Sequence, residues 1–301
     1  MNKTVLALAG LLTLGFCGIA KADVAAAAAT PATPTAKALS STAKPSPWKN
    51  TLVASLNLSQ AHYSNWTAGG ANSLSWIGEL AGSSTLTDPL DVWASNLKLA
   101  FGESTIGSQE QKVADAIHVD STYTQTLNKY VNPFVGATWD TQFDTGYNYA
   151  IGGVVGDNVP VSQFQDPGYL VESVGVGSQY RDMVKIRIGA AARQTFAEGS
   201  YDTITQYTPN GEAVYDQYGV SGMLGLKFSL SQNLLFTSEL DIFSNLKSMD
   251  DVDGTWNNML TGKINGWLSA NLNCDAIYNN IQSTAGQFYE GLSLTFSYNL
   301  I

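Results

Sequence analysis

The sequence predicts an all-β fold, a closed antiparallel transmembrane β-barrel of about 12 strands, on three observations. Apolar and polar residues alternate with period two in segment after segment from Trp48 onward. The gaps between those segments run long, short, long, short along the chain. Aromatic residues gather near both ends of the apolar faces.

Ahead of the first segment, Lys3, the apolar run Val5 to Ala20 and the small-x-small site Ala20-Lys21-Ala22 read as a secretory signal over residues 1–22. Bulky Phe16 before Cys17 argues against lipid attachment there. Residues 23–47 are almost entirely Ala, Pro, Thr, Ser and Lys. Such a stretch buries too little apolar surface to offset its ordering entropy, so a disordered periplasmic leader is expected. The barrel is expected over 48–301. Loss of residues 1–22 leaves Cys274 as the single cysteine, which leaves no intramolecular disulfide to form. It also lowers Lys+Arg from 15 to 13 against 25 Asp+Glu, a balance of −12. So acidic a chain is a poor partner for nucleic acid.

The alternation is explicit in the residues. Leu52, Ala54, Leu56 and Leu58 share one face, opposed by Val53, Ser55 and Asn57. Val184, Ile186, Ile188, Ala190 and Ala192 oppose Lys185, Arg187 and Arg193, and Leu292, Leu294, Phe296 and Tyr298 oppose Ser293, Thr295 and Ser297. Helical spacing would scatter these apolar residues around a cylinder. Segments of this kind fall at 50–58, 73–86, 91–103, 112–126, 131–143, 169–181, 184–196, 217–229, 232–244, 255–264, 267–278 and 287–300. The long gaps are 59–72, 104–111, 144–168, 197–216, 245–254 and 279–286, and the short ones carry turn residues such as Asp88-Pro89 and Asn265-Gly266. Glu172 falls on the apolar parity, which suggests a bulge in its segment.

After residue 23 no apolar run approaches the roughly 20 residues that a spanning helix requires. A sheet crosses hydrocarbon only when closure removes its edges. An even number of strands with tight turns at one end and long loops at the other is the construction of a bacterial outer-membrane barrel, with both termini periplasmic. Outer-membrane lipid and the outer-membrane assembly machinery are then the expected partners. Two aromatic bands fit this placement. Trp76, Phe101, Trp139, Phe143, Phe196, Trp256, Tyr278 and Phe288 lie near the loop-side ends, and Trp93, Tyr180 and Tyr298 near the turn-side ends. The chain ends on Leu300-Ile301, where such strands commonly end on an aromatic.

The inward parity collects Glu79, Asp120, Asp140, Glu239, Asp241 and Asp275 with Lys98, Lys185, Arg187, Arg193, Lys227 and Lys263. Equal signs favour a narrow or plugged lumen cross-linked by ion pairs over a field selecting one ion sign. If the lumen is open, a small solute is the expected passenger. His118 joins this network, and with Asp120, Ser121 and Asp140 it could also be drawn as a hydrolytic set, although a triad is recognised by geometry. His62 falls in the first long loop. Cys274 falls on the outward parity, as a small hydrophobe. Asp250, Asp251 and Asp253 before Gly254 resemble a fragment of a calcium loop without its closing Glu, so a solvated acidic loop is expected and no metal site. No phosphate loop, zinc cluster or dinucleotide fingerprint is present, and no cofactor is expected. These observations describe a non-enzymatic barrel, channel or structural. The alternatives are a membrane-embedded hydrolase, a periplasmic soluble β-sandwich binding protein, and a binding module carried by the 144–168 and 197–216 loops.

LNLSQAHYSNWTAGGANSLSW (56–76) resembles the opening signature of DUF3078, an exported family catalogued as a domain of unknown function, with its Asn65-Trp66-x-x-Gly69-Gly70 pattern. TQFDTGY (141–147), DPGYL (166–170), LDIFSNL (240–246), VDGTW (252–256) and KINGWLSANL (263–272) extend the resemblance over about residues 50 to 300. Asp166 stands where that family more often has Ser. The resemblance implies outer-membrane barrel architecture and no particular activity.

Overall fold

The computed structural model describes residues 47–64, 71–148, 159–197, 207–248, 252–281 and 285–301. The expected signal, nearly all of the expected leader, and Asn65, Trp66, Gly69 and Gly70 lie outside these residues.

The fold is one sheet closed on itself. Strands β1 (Trp48–Ala61), β2 (Ser73–Thr87), β3 (Asp91–Ile106), β4 (Gln109–Gln125) and β5 (Asn132–Thr141) form successive antiparallel hairpins. A small hairpin of β6 (Gly146–Asn148) and β7 (Val159–Ser162) stands apart from the wall. The wall resumes with β8 (Gly168–Tyr180), β9 (Val184–Phe196), β10 (Val214–Ser231), β11 (Leu234–Asn245), β12 (Val252–Lys263), β13 (Leu268–Tyr278) and β14 (Gln287–Asn299). β8 pairs with β5, and β14 closes on β1, giving a barrel of twelve strands. Closure removes the β-sandwich alternative, which requires two stacked sheets.

Period-two patterning sets the two faces. Outward Val135, Val174, Ile188 and Leu292 are exposed, while inward Lys98, Thr122, Arg193, Thr237, Asp275 and Thr295 are buried. This is the reverse of a water-soluble protein. A Val, Ile and Leu belt on a sheet with its backbone paired internally suits hydrocarbon. Aromatics mark both rims. Trp48 and Trp93 meet at 6.2 Å and Trp267 stacks on Phe296 at 5.8 Å on the turn side, and Trp76 meets Phe101 at 6.2 Å on the loop side.

Three local expectations are corrected. The loop expected over 104–111 is a tight hairpin: β3 and β4 run on to Ile106 and Gln109 and turn at 107–108, with Gly107 at φ +64. Polar residues on both faces of that extension, such as Ser104, Thr105, Glu110 and Gln111, hide its period. The connection expected to be plain loop over 144–168 contains β6 and β7. Glu172 marks no bulge, since β8 runs in continuous register through Glu172↔Ala137 and Glu172↔Ala192, and the residue simply faces outward and is exposed.

Candidate functional site: the charged lumen

A cavity of about 2020 Å³ is lined by residues of the lumen and also by outward residues of β12 to β14 such as Trp256, Cys274 and Leu292, so its volume is not that of the lumen alone. Its lining runs from Gly146, Asn279 and Gln287 at the loop side to Phe134 and Lys185, near the turn-side ends of β5 and β9. Of the inward charges expected from the sequence, His118, Asp120, Asp140, Lys185, Arg187, Arg193, Glu239 and Asp241 line it. The others sit elsewhere. Glu79 faces Lys98 electrostatically on the β2–β3 wall, and Lys98 and Asp275 are buried. Lys227 lies towards the turn-side end of β10 and Lys263 is the last residue of β12, so neither joins the cluster.

His118 is held from both sides. The register Lys98↔His118↔Asp140 places it across from Asp140, with Nδ1 2.6 Å from Oδ1, and Asp120 Oδ1 lies 3.4 Å from Nε2. Asn96 Nδ2 donates to both Asp120 oxygens at 3.0 and 3.1 Å. Ser121 takes no part. The strand pleat turns it to the outer face, where its Oγ is 2.8 Å from Ser95 Oγ and accepts from Trp93 Nε1 at 2.9 Å. The hydrolytic arrangement drawn from sequence proximity therefore lacks its nucleophile.

Two inward aromatics, Phe134 and Phe243, escape a reading that places aromatics on the lipid face. Each lies beside a glycine and under an arginine. A Cβ on Gly177 would stand 3.9 Å from Phe134 Cδ1, and Arg187 lies 5.3 Å over that ring while its Nη1 donates to Thr122 Oγ1 at 3.0 Å. A Cβ on Gly219 would stand 2.7 Å from Phe243 Cζ, and Arg193 lies 4.3 Å over that ring. Arg193 also donates to Gln217 Oε1 from Nε (2.8 Å) and Nη2 (2.6 Å), and pairs with Asp253. The inward-parity glycines are the sequence signal for these rings, because a missing side chain on the inner face leaves room for a neighbour's. Asp253 is thus buried in an ion pair and is no part of a solvated calcium-like loop, while Asp250 and Asp251 lie outside the described residues.

Lys185 and Glu239 flank Gly225 in register. Lys185 interacts electrostatically with Arg187, Glu239, Asp120 and Asp241. Among the described residues neither Lys185 nor Arg187 makes a close carboxylate pair. Around the cavity Asp115, Asp120, Asp140, Glu239, Asp241, Asp253 and Glu290 outnumber Lys112, Lys185, Arg187 and Arg193, so the lining is more acidic than the equal count of inward charges suggests.

The mouth is narrowed from the loop side. Asp115 accepts from the amides of Phe143 (2.7 Å) and Asp144 (2.9 Å) and pairs with Lys112 at 2.6 Å. Gln142 Nε2 donates to the carbonyls of Gln163 (2.7 Å) and Asp166 (3.1 Å), and the Tyr207 hydroxyl donates to Val161 O at 2.8 Å. The described parts of the two loops read as a binding module thus line the mouth with Tyr147, Ser162 and Tyr207. His62 is exposed in the β1–β2 connection and does not line the cavity.

The family described as Protein of unknown function (DUF3078) matches residues 58–147, and the resembling motifs from Asp166 onward lie beyond that stretch. No curated protein matches the chain. The translocator domain of autotransporter NalP from Neisseria meningitidis is similar at 9% identity and a TM-score of 0.36, over 84% of this chain and 89% of that one. The COG4313 outer membrane channel from Pseudomonas putida F1 is similar at 12% identity and a TM-score of 0.42, over 85% and 97%. The NanC porin is similar at 8% identity and a TM-score of 0.38, over 82% and 98%.

Proposed function

We propose that the protein is a non-enzymatic barrel of the bacterial outer membrane that passes small polar solutes, with a preference for cations. The observation that carries this reading is the cavity of about 2020 Å³, lined by a surplus of carboxylates and by Lys185 and Arg187, which among the described residues make no close carboxylate pair. Fixed charges of both signs in a confined aqueous path replace part of a polar solute's hydration, and the acidic surplus raises the local cation concentration. Residues 1–22 serve export, 23–47 remain as a leader on the turn side, and insertion relies on the machinery that assembles such barrels.

Protein reconstituted in planar bilayers is expected to conduct in discrete steps and to give a cation-selective reversal potential in a salt gradient. Silent bilayers, from protein that still shows a boiled-versus-native gel shift, would refute the channel and leave a structural barrel.

A further inference from the structure

The wall is not equally zipped all round. β1 pairs with β2 along its whole length, from Trp48↔Leu86 to Ala61↔Ser73, but with β14 only from Val53↔Asn299 to Leu58↔Leu294. Among the described residues, β14 from Gln287 to Ser293 therefore has a partner on β13 and none on the β1 side. That open edge runs roughly 20 Å at about 3.3 Å per residue. Exposure agrees with it. Leu292, beside the edge, is 71% exposed against 47% for Leu294, where pairing begins, and inward-parity Ser59 is exposed.

Unpaired backbone is not tolerated against lipid, and occurs at membrane depth only where it borders water or protein. The cavity supplies the water. It is lined by inward Gln287 and Tyr289 and by outward Phe288, Glu290 and Leu292 of β14, as it is by outward Trp256 and Cys274 of the neighbouring strands. A second feature arrives at the same place. Ser238, Asn258, Cys274 and Glu290 are successive register partners on the outer faces of β11 to β14, a row with Ser238 buried under Trp256 at one end and an exposed carboxylate at the open edge.

We propose that the loop-side half of the β1–β14 junction is a lateral slot joining the lumen to the lipid phase, and that it admits an amphiphile with an apolar chain and a cationic head. Phe288 and Leu292 offer the chain an apolar flank, and Glu290 offers the head its counter-charge.

Two cysteine pairs in a Cys274→Ser background test it in liposomes. Ala54→Cys with Tyr298→Cys lies in the zipped register and should oxidise readily to an intrachain disulfide. Gln60→Cys with Leu292→Cys continues that register into the slot and should fail to do so, while a long bis-maleimide still bridges it. A photoactivatable long-chain alkylamine should label residues 288–292 several-fold more than the corresponding alkyl sulfate. Bridging should abolish that labelling, and Glu290→Gln should erase the preference for amine. Rapid intrachain oxidation of the second pair, a disulfide between two chains there, or label spread evenly around the belt would each overturn the slot.

Discussion

Arg193 on β9 reaches over two intervening strands to Asp253 on β12, lying 4.3 Å above the Phe243 ring on the way. One side chain thereby ties four strands together from inside, since Gln217 on β10 accepts two of its hydrogen bonds. All four groups are buried, so the pair is screened from bulk water.

Asp253→Asn is expected to lower unfolding free energy by about 3 kcal/mol, because it leaves a buried guanidinium short of its counter-charge. Urea unfolding in bilayers measures this. Arg193→Met combined with Asp253→Leu should recover most of the loss, whereas an equally unstable double variant would show that the ion pair is not the cause.

Selectivity should follow the signs around Gly225. Lys185→Glu removes a cation facing Glu239, Asp120 and Asp241, and should move the reversal potential further towards cations. Glu239→Gln should move it the other way. Shifts in the same direction would mean that these side chains do not face the ion path.

Phe134 is buried with its ring on the inner face. Phe134→Ala should therefore raise single-channel conductance, at a stability loss of about 3 kcal/mol. Gly177→Val should lower conductance instead, since its Cβ would lie 3.2 Å from Arg187 Cγ and 3.1 Å from Ile186 O, forcing the arginine further into the lumen.

Asp115→Ala strips the Phe143 and Asp144 amides of their acceptor. Hydrogen exchange at those two amides should accelerate, consistent with a local loss of roughly 1–3 kcal/mol. Exchange within β9 should be unchanged, and acceleration there too would mean that Asp115 supports the wall itself.

The strands were legible because membrane and lumen impose opposite polarity on successive residues, as in Val184 to Ile188, where every second side chain reverses character. The parity that put His118, Asp120 and Arg187 on the inner face is a local property, and needs no knowledge of distant strands. Who meets whom is not local. Nothing near Arg193 names Asp253, because their meeting depends on the barrel's curvature and on Gly219 leaving space between them. Phe134 and Phe243 were hidden for a related reason, since a ring suits lipid and a glycine-lined hollow equally well. The β3–β4 extension was hidden because both of its faces carry polar residues, Ser104 and Gln111 as well as Thr105 and Glu110, which leaves no apolar alternation to read.

Apart from β5 with β8, each strand of the wall pairs with its predecessor in sequence, except that β1 must find β14 across nearly the whole polypeptide. Loop-closure entropy grows with the length enclosed, so that meeting carries the largest closure cost of any pairing in the wall. Circular permutation would recast it. With Trp48 and Asn299 joined and new ends cut at 232–233, the former junction becomes an ordinary hairpin, and closure passes to the long register between β10 and β11.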